Sequence, residues 1–170
     1  MNLTFQKFQN SEAEELIDFL VSQSWPFHEQ KSITKEQVQK NLEKGFYSSP
    51  EVETFWILNE ENQKIGFIRV FDLDDGTPLF DLRIKEEYQG KGIGTQSLHF
   101  LCQHILNTYP HVRRIEGYTR EDNMGMRKVF EKCGFLQEAQ HRSSWPGENN
   151  DWYDSIGYGL LRSEYDSPKS

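Results

Sequence analysis

The apolar positions of this chain change their spacing several times, and each change marks an element. Leu3 to Phe8 alternates like a short strand. Leu16, Ile17, Leu20 and Val21 then recur at helical spacing behind Ser11-Glu12-Ala13-Glu14, a capping box, which predicts a helix with one buried face. Thr34-Lys35-Glu36-Gln37 repeats the capping pattern, and Gly45 is placed to stop a second helix. Thr54 to Leu58 and Lys64 to Leu73 read as strands joined by the hairpin signal Asn59-Glu60-Glu61-Asn62. Asp74-Asp75-Gly76-Thr77 turns the chain into a further alternating strand, Pro78 to Ile84. Leu98, Leu101, Cys102 and Ile105 predict a helix, and Arg113 to Thr119 a strand. Met126, Val129, Phe130 and Cys133 form an i, i+3, i+4, i+7 stripe on a helix opened by Asn123; Gly134 is its left-handed cap, with Phe135 as the accompanying apolar contact. Two strands, Leu136 to Ser143 and Trp152 to Arg162, close the pattern around a turn at Pro146 to Asn150, and 166–170 read as a frayed tail.

One junction in this pattern carries chemistry. Between the strand ending at Ile84 and the helix containing Leu98 lies Gln89-Gly90-Lys91-Gly92-Ile93-Gly94-Thr95. A strand, a glycine-rich turn and a helix N-terminus gather unpaired backbone N–H groups around one point, with the helix dipole behind them. Glycine lets the main chain approach a phosphate without a Cβ in the way. The spacing excludes two common uses. Thr95 stands where the third glycine of a dinucleotide fingerprint belongs, and Gly92 follows Lys91 where a P-loop needs Ser or Thr.

What fits is Gln-x-x-Gly-x-Gly, together with the Asn123-to-Phe135 helix and its Gly-Phe stop about thirty residues on. In this order and separation the two segments resemble the Gcn5-related N-acetyltransferases, nearest in pattern to the ribosomal-protein and aminoglycoside types. The resemblance covers essentially the whole chain. It implies an α/β fold: a mixed, mostly antiparallel sheet of six to seven strands, flanked by about four helices, with a splay between the fourth and fifth strands. It also implies acetyl-coenzyme A as donor, its pyrophosphate on the loop Gln89, Gly90, Lys91, Gly92, Ile93, Gly94 and Thr95. The pantetheine arm would pair with the strand edge at Leu82, Arg83 and Ile84, and the Leu82 N–H would polarise the thioester. Asn123 would cap its helix and touch the pantetheine arm, while Arg127 faces either the phosphates or solvent.

Composition narrows the setting. At 170 residues the chain suits one domain, residues 1–165. No run of eighteen apolar residues occurs and the first residues lack a signal peptide's apolar segment, so a cytoplasmic protein away from membranes is expected. A net charge of −8 argues against nucleic acid and suits a cationic acceptor. Cys102 and Cys133 fall on apolar helix faces as reduced core residues, and the five histidines show no ligand spacing, so no metal is expected. A homodimer is compatible with all of this.

Transfer to an amine also needs a base. Glu116 is the first choice, because it shares a strand face with Tyr118 beside the expected thioester; Asp72 and Asp81 are further candidates, Asp81 the less attractive for pointing away from Phe80 and Leu82. Many family members carry a Tyr seven residues after the helix-opening Asn to protonate the thiolate, and this chain has Phe130 there. A Ser three residues after the Asn, common in the ribosomal-protein type, is Met126 here. Tyr118 or water would then supply the proton. The acceptor pocket is expected from Trp25, Phe27 and His28, with Asp72, Trp145 and Tyr153, whose aromatic faces beside carboxylates suit a small-molecule amine or a protein N-terminus. A catalytically weak acetyl-coenzyme A sensor is the alternative that Phe130 brings in, and a nucleotide-dependent oxidoreductase is the remote one.

Overall fold

Seven strands form one sheet in the computed structural model, which describes residues 1–167. The strands are β1 (Thr4–Lys7), β2 (Glu53–Leu58), β3 (Lys64–Phe71), β4 (Leu79–Ile84), β5 (Arg114–Arg120), β6 (Leu136–Pro146) and β7 (Trp152–Leu161), in the order β1-β2-β3-β4-β5-β7-β6. Every neighbouring pair is antiparallel except β4 and β5. The helices are α1 (Ala13–Val21), α2 (Lys35–Glu43), α3 (Ile93–Thr108), α4 (Met124–Lys132) and the short α5 (Arg162–Asp166).

The alternation of β-strand side chains divides the core into two layers. On one face, Trp56, Leu58 and Phe67 pack with Leu16, Leu20 and Val38 of α1 and α2. On the other, Ile68, Val70, Ile115, Tyr158 and Leu160 pack with Leu98, Leu101 and Phe130 of α3 and α4. The two cysteines are buried, Cys102 in this second layer with its thiol pushed above the ordinary range by burial, and Cys133 with its thiol donating to Thr95 O (3.5 Å).

Local signals in the sequence became the local structure wherever their partners are near in the chain. The Thr34 box is complete: Gln37 N donates to Thr34 Oγ1 (3.2 Å) and Thr34 N to Gln37 Oε1 (2.9 Å). Asn59 builds the β2–β3 turn, its side-chain oxygen accepting from Glu61 N and Gln63 N. Gly134 (φ +83°) ends α4 in a Schellman motif, with Phe135 N donating to Phe130 O (3.0 Å) and Gly134 N to Glu131 O (3.1 Å). The first box is displaced. Glu12, not Glu14, reaches back, its carboxylate accepting from Gln9 N across a 3₁₀ turn at Asn10–Glu12. Strand β6 continues to Pro146, three residues past its expected end, by way of an irregularity between His141 and Trp145 where Ser143 takes φ +50°. Of the expected tail, Asp166 closes α5 and Ser167 Oγ donates to Ser163 O (2.6 Å), while residues 168–170 lie outside the described residues.

Strands β4 and β5 share one register pair, Leu79 with Glu116. Beyond it they separate. That gap, above the start of α3, is the expected splay, and it positions everything that follows.

Candidate active site

Gly90 (φ +73°) and Gly92 (φ +78°) make the turn from β4 into α3, in the left-handed backbone region that glycine enters freely. No atom lies within 4 Å of where a Cβ would stand on either residue, so both open onto free space. The first hydrogen bond of α3 runs from Gln96 N to Gly92 O (3.1 Å). The N–H groups of Ile93, Gly94 and Thr95 therefore lack a helical acceptor and converge at the positive end of a 16-residue helix. Gln89 Nε2 donates to Ile84 O (3.0 Å) and fixes the loop to the end of β4. This is an anion cradle, made of backbone.

The edge of β4 above it is bare. Lys85 N donates to Ile65 O (2.9 Å), which sets the alternation: residues 81 and 83 turn their polar groups to β3, and Leu82 and Ile84 turn theirs to β5. Only at the foot does β5 answer, where Glu116 N donates to Pro78 O (3.0 Å). The Leu82 N–H consequently faces the gap. A cleft of about 450 Å³ occupies this gap, lined by Leu82 and Ile84, by Gln89, Gly90, Gly92, Gly94 and Thr95 of the loop, by Asn123, Gly125, Met126, Lys128, Val129 and Lys132 along α4, and at its far end by Trp25, Pro26, Phe27 and His28.

The cleft gathers some of the residues expected there and leaves others out. Asn123 lines it while capping α4, its side chain accepting from Met126 N (3.1 Å). Lys91 bends back to Glu87 O (2.9 Å), and Ile93 buries its side chain, so neither side chain lines the cleft. Arg83 points to the opposite face of the sheet, toward Asp81 (3.1 Å). Arg127 turns into the protein, donating to Tyr158 Oη (3.0 Å), Glu121 O (3.0 Å) and Gln137 Oε1 (3.3 Å). It ties α4 to the sheet, because α4 sits close enough for a long cation to reach inward. Lys128 and Lys132, one turn apart on the cleft side, are the cations that sequence reading passed over; their i, i+4 spacing beside Val129 was the available signal.

The expected catalytic pair lies away from the cleft. Glu116 stands at the foot of the splay and is bound to Arg114 (2.8 Å), which also holds Glu138. Tyr118 lies on the exposed side of β5 against Gly157 and His141. Phe130 is fully buried, stacked on Tyr158 with centroids 4.3 Å apart. Asp72 takes φ +58° in the turn after β3 and accepts there from Asp75 N, away from the cleft. Trp145 and Tyr153 pair across the β6–β7 hairpin, outside the cleft lining. The Arg120 guanidinium lies between the rings of Tyr153 (4.1 Å) and Phe27 (4.8 Å), and Lys31 pairs with Glu148 (2.8 Å).

The end of the cleft at Trp25 to His28 rests on a charged floor. Asp81 accepts from Arg83 Nε (3.1 Å), and His28 Nδ1 lies 3.2 Å from its other carboxylate oxygen. Burial works to raise the Asp81 pKa, but Arg83, His28 and Arg69 outweigh it and hold the carboxyl far below its ordinary range. Arg69, directly across on β3, is buried between the rings of Phe46 (3.6 Å) and Phe71 (4.3 Å). The sequence marks Asp81 as pointing away from Leu82. It does, toward His28 at the far end of the cleft.

A backbone anion cradle, an open strand edge beside it and a cleft joining the two define a protein that binds an acyl-coenzyme A. The chain matches the family model of the acetyltransferase (GNAT) domain over residues 2–136, and it belongs to that family: it is an N-acetyltransferase that uses acetyl-coenzyme A. Among solved structures, a chimera of the Vibrio cholerae spermidine N-acetyltransferase SpeG and hSSAT is 15% identical, with a TM-score of 0.84 over 99% of this chain and 100% of the other. The Vibrio cholerae spermidine N-acetyltransferase in complex with CoA and spermine is 16% identical, with a TM-score of 0.81 over 97% and 98%. A dodecameric form of it is 15% identical, with a TM-score of 0.80 over 99% and 98%. Likeness at this identity speaks for the fold. No curated protein matches the chain.

Proposed function

We propose that the protein acetylates a primary amine, on a small molecule or a protein N-terminus, by direct attack of the amine on the acetyl-coenzyme A thioester. The observation that carries this reading is the bare edge of β4: the Leu82 N–H faces a gap whose floor is the N-terminus of α3. In this reading the N–H groups of Ile93, Gly94 and Thr95 receive the pyrophosphate, with Lys128 and Lys132 beside them. The open edge from Leu82 to Ile84 receives the pantetheine amides, and Asn123 faces the same arm across the gap. The Leu82 N–H polarises the thioester oxygen, a contribution of about 2.7–4 kcal/mol in acyl-transfer enzymes. The amine enters at Trp25 to His28, where aromatic faces suit a cation. Water protonates the thiolate, since Phe130 is sealed in the core and Tyr118 is turned away.

The acceptor panel begins with spermidine and spermine, which the solved neighbours act on or hold, and continues with an aminoglycoside and a peptide N-terminus. Thiol release from acetyl-coenzyme A is measured for each, beside calorimetric binding of coenzyme A. Turnover with at least one amine is expected. Binding without turnover on any of them supports the sensor reading instead, and absent binding removes both. A cytoplasmic location and a homodimer complete the proposal; sedimentation of the purified protein tests the dimer.

A further inference from the structure

We infer that His28 is the proton acceptor for the amine and that Asp81 positions it, an assignment that rests on the proposed amine acetylation. Asp81 and Leu82 are adjacent on β4, about 3.3 Å apart along the strand, so the carboxylate beside His28 and the N–H that faces the thioester gap belong to neighbouring residues, one on a face of the sheet and one on its edge. His28 Nδ1 lies 3.2 Å from Asp81 Oδ1, on a ring that lines the cleft; a proton held on Nδ1 by this carboxylate leaves Nε2 as the basic nitrogen. A carboxylate behind an imidazole fixes its tautomer and stabilises the cation formed when it takes a proton. Asp81 is held in turn by Arg83 Nε (3.1 Å) and cannot itself serve as the base, because its charge is already committed to a guanidinium and an imidazole. His28 is fixed from its own loop as well, its N–H donating to Trp25 O (3.0 Å) and its ring lying edge-on to Trp25. Among the described residues, no other imidazole or carboxylate lines the cleft.

The reaction balances on these groups. His28 Nε2 takes one proton from the substrate ammonium. The freed nitrogen lone pair forms the bond to the acetyl carbon as the carbon–sulfur bond breaks, and the thiolate leaves with that electron pair. The second amine proton passes through water to the thiolate, and the imidazolium returns the first to solvent. The charged groups around this corner are Arg69 on β3, Asp81 and Arg83 on β4, Arg120 with Asp122 at the end of β5, and the Lys31–Glu148 pair at the hairpin tip.

Two measurements test the assignment. Nitrogen NMR of the imidazole in the protein without substrate is expected to show Nδ1 protonated and Nε2 bare, with Asp81→Asn erasing that preference; a wild-type His28 protonated on Nε2 overturns the proposal. In turnover, His28→Gln is expected to lower kcat/KM for the amine by roughly 10²–10⁴-fold near neutral pH, the loss shrinking as pH approaches the amine's own pKa, with coenzyme A affinity kept within a few-fold. Asp81→Asn is expected to lower kcat without raising KM. A His28→Gln loss that is equal at every pH and appears in KM makes His28 a substrate contact and overturns its role as base. An active wild type with an equally active His28→Gln sinks this inference alone. A wild type inert on every amine sinks the parent proposal and this one together.

Discussion

Gly92 sits at φ +78° with empty space where its Cβ would be, so the position is constrained by its backbone and by what must approach it. Gly92→Val is expected to abolish coenzyme A binding by calorimetry while the far-ultraviolet circular dichroism stays near wild type. The left-handed backbone costs a branched residue about 1–2 kcal/mol, and the new methyl groups fill the cradle. Affinity kept within a few-fold would show the cradle to be elsewhere. Phe130 poses the opposite situation. Its ring is 1% exposed and its tip lies 2.7 Å from where a Cβ on Gly117 would stand, so the ring and the glycine fit only each other. Phe130→Tyr restores the family's hydroxyl to a ring tip with no room for it. It is expected to lower stability by about 1–3 kcal/mol in denaturant unfolding and to leave turnover no higher than wild type. A raised kcat at unchanged stability would return Phe130 to the catalytic question.

Helix α4 presents two kinds of cation, and the sequence alone does not sort them. Arg127 holds three inward acceptors, whereas Lys128 and Lys132 line the cleft. The double substitution Lys128→Ala and Lys132→Ala is therefore expected to weaken coenzyme A binding and reduce its salt dependence, while Arg127→Met lowers the melting temperature with little change in affinity. Titrations at two ionic strengths separate these outcomes. Helix α3 is clipped to β2 by Glu53, which accepts from His104 (2.8 Å) and from the Tyr109 hydroxyl. Burial works to raise the Glu53 pKa, but His104 and Tyr109, with Lys7, bring it below the ordinary value; burial first, then Glu53, pushes the Tyr109 phenol up to about 12. A depressed carboxylate contributes stability above its unfolded pKa and loses it as pH falls through the folded one. Wild type is thus expected to lose stability below about pH 4.3, and Glu53→Gln to be weaker at neutral pH with a smaller decline in acid. Equal acid slopes in the two proteins would remove Glu53 as the cause. The same elements show what a sequence can disclose. The Thr34 box, the Asn59 turn and the Gly134 stop are decided within six residues and were legible. Arg127, Glu116 and Asp72 were misplaced because their surroundings come from β7, from Arg114 on the same strand, and from a turn whose position depends on the neighbouring strand. His28 and Asp81 are 53 residues apart, and no local spacing announces that they meet.

Across the whole molecule, β7 enters between β5 and β6, so the last strands close the sheet on the far side of the splay and supply Ile156, Tyr158 and Leu160 to the second core layer. The family model ends at Leu136, before that strand. The order of the sheet was less legible than its strands, since a crossover leaves no local mark. The single β4–β5 register pair has a mechanical consequence as well. The sheet behaves as two plates, four strands and three, joined at one riveted corner and held elsewhere by α3 and α4 beneath. A donor lying along the gap would add the missing row of bonds and act as a seam between the plates. In native-state hydrogen–deuterium exchange, the amides of Leu82 and Ile84 should slow when coenzyme A binds, and amides of β5 and β7 that touch no ligand should slow with them. Protection confined to the contact residues would mean that the plates were already rigid without the seam.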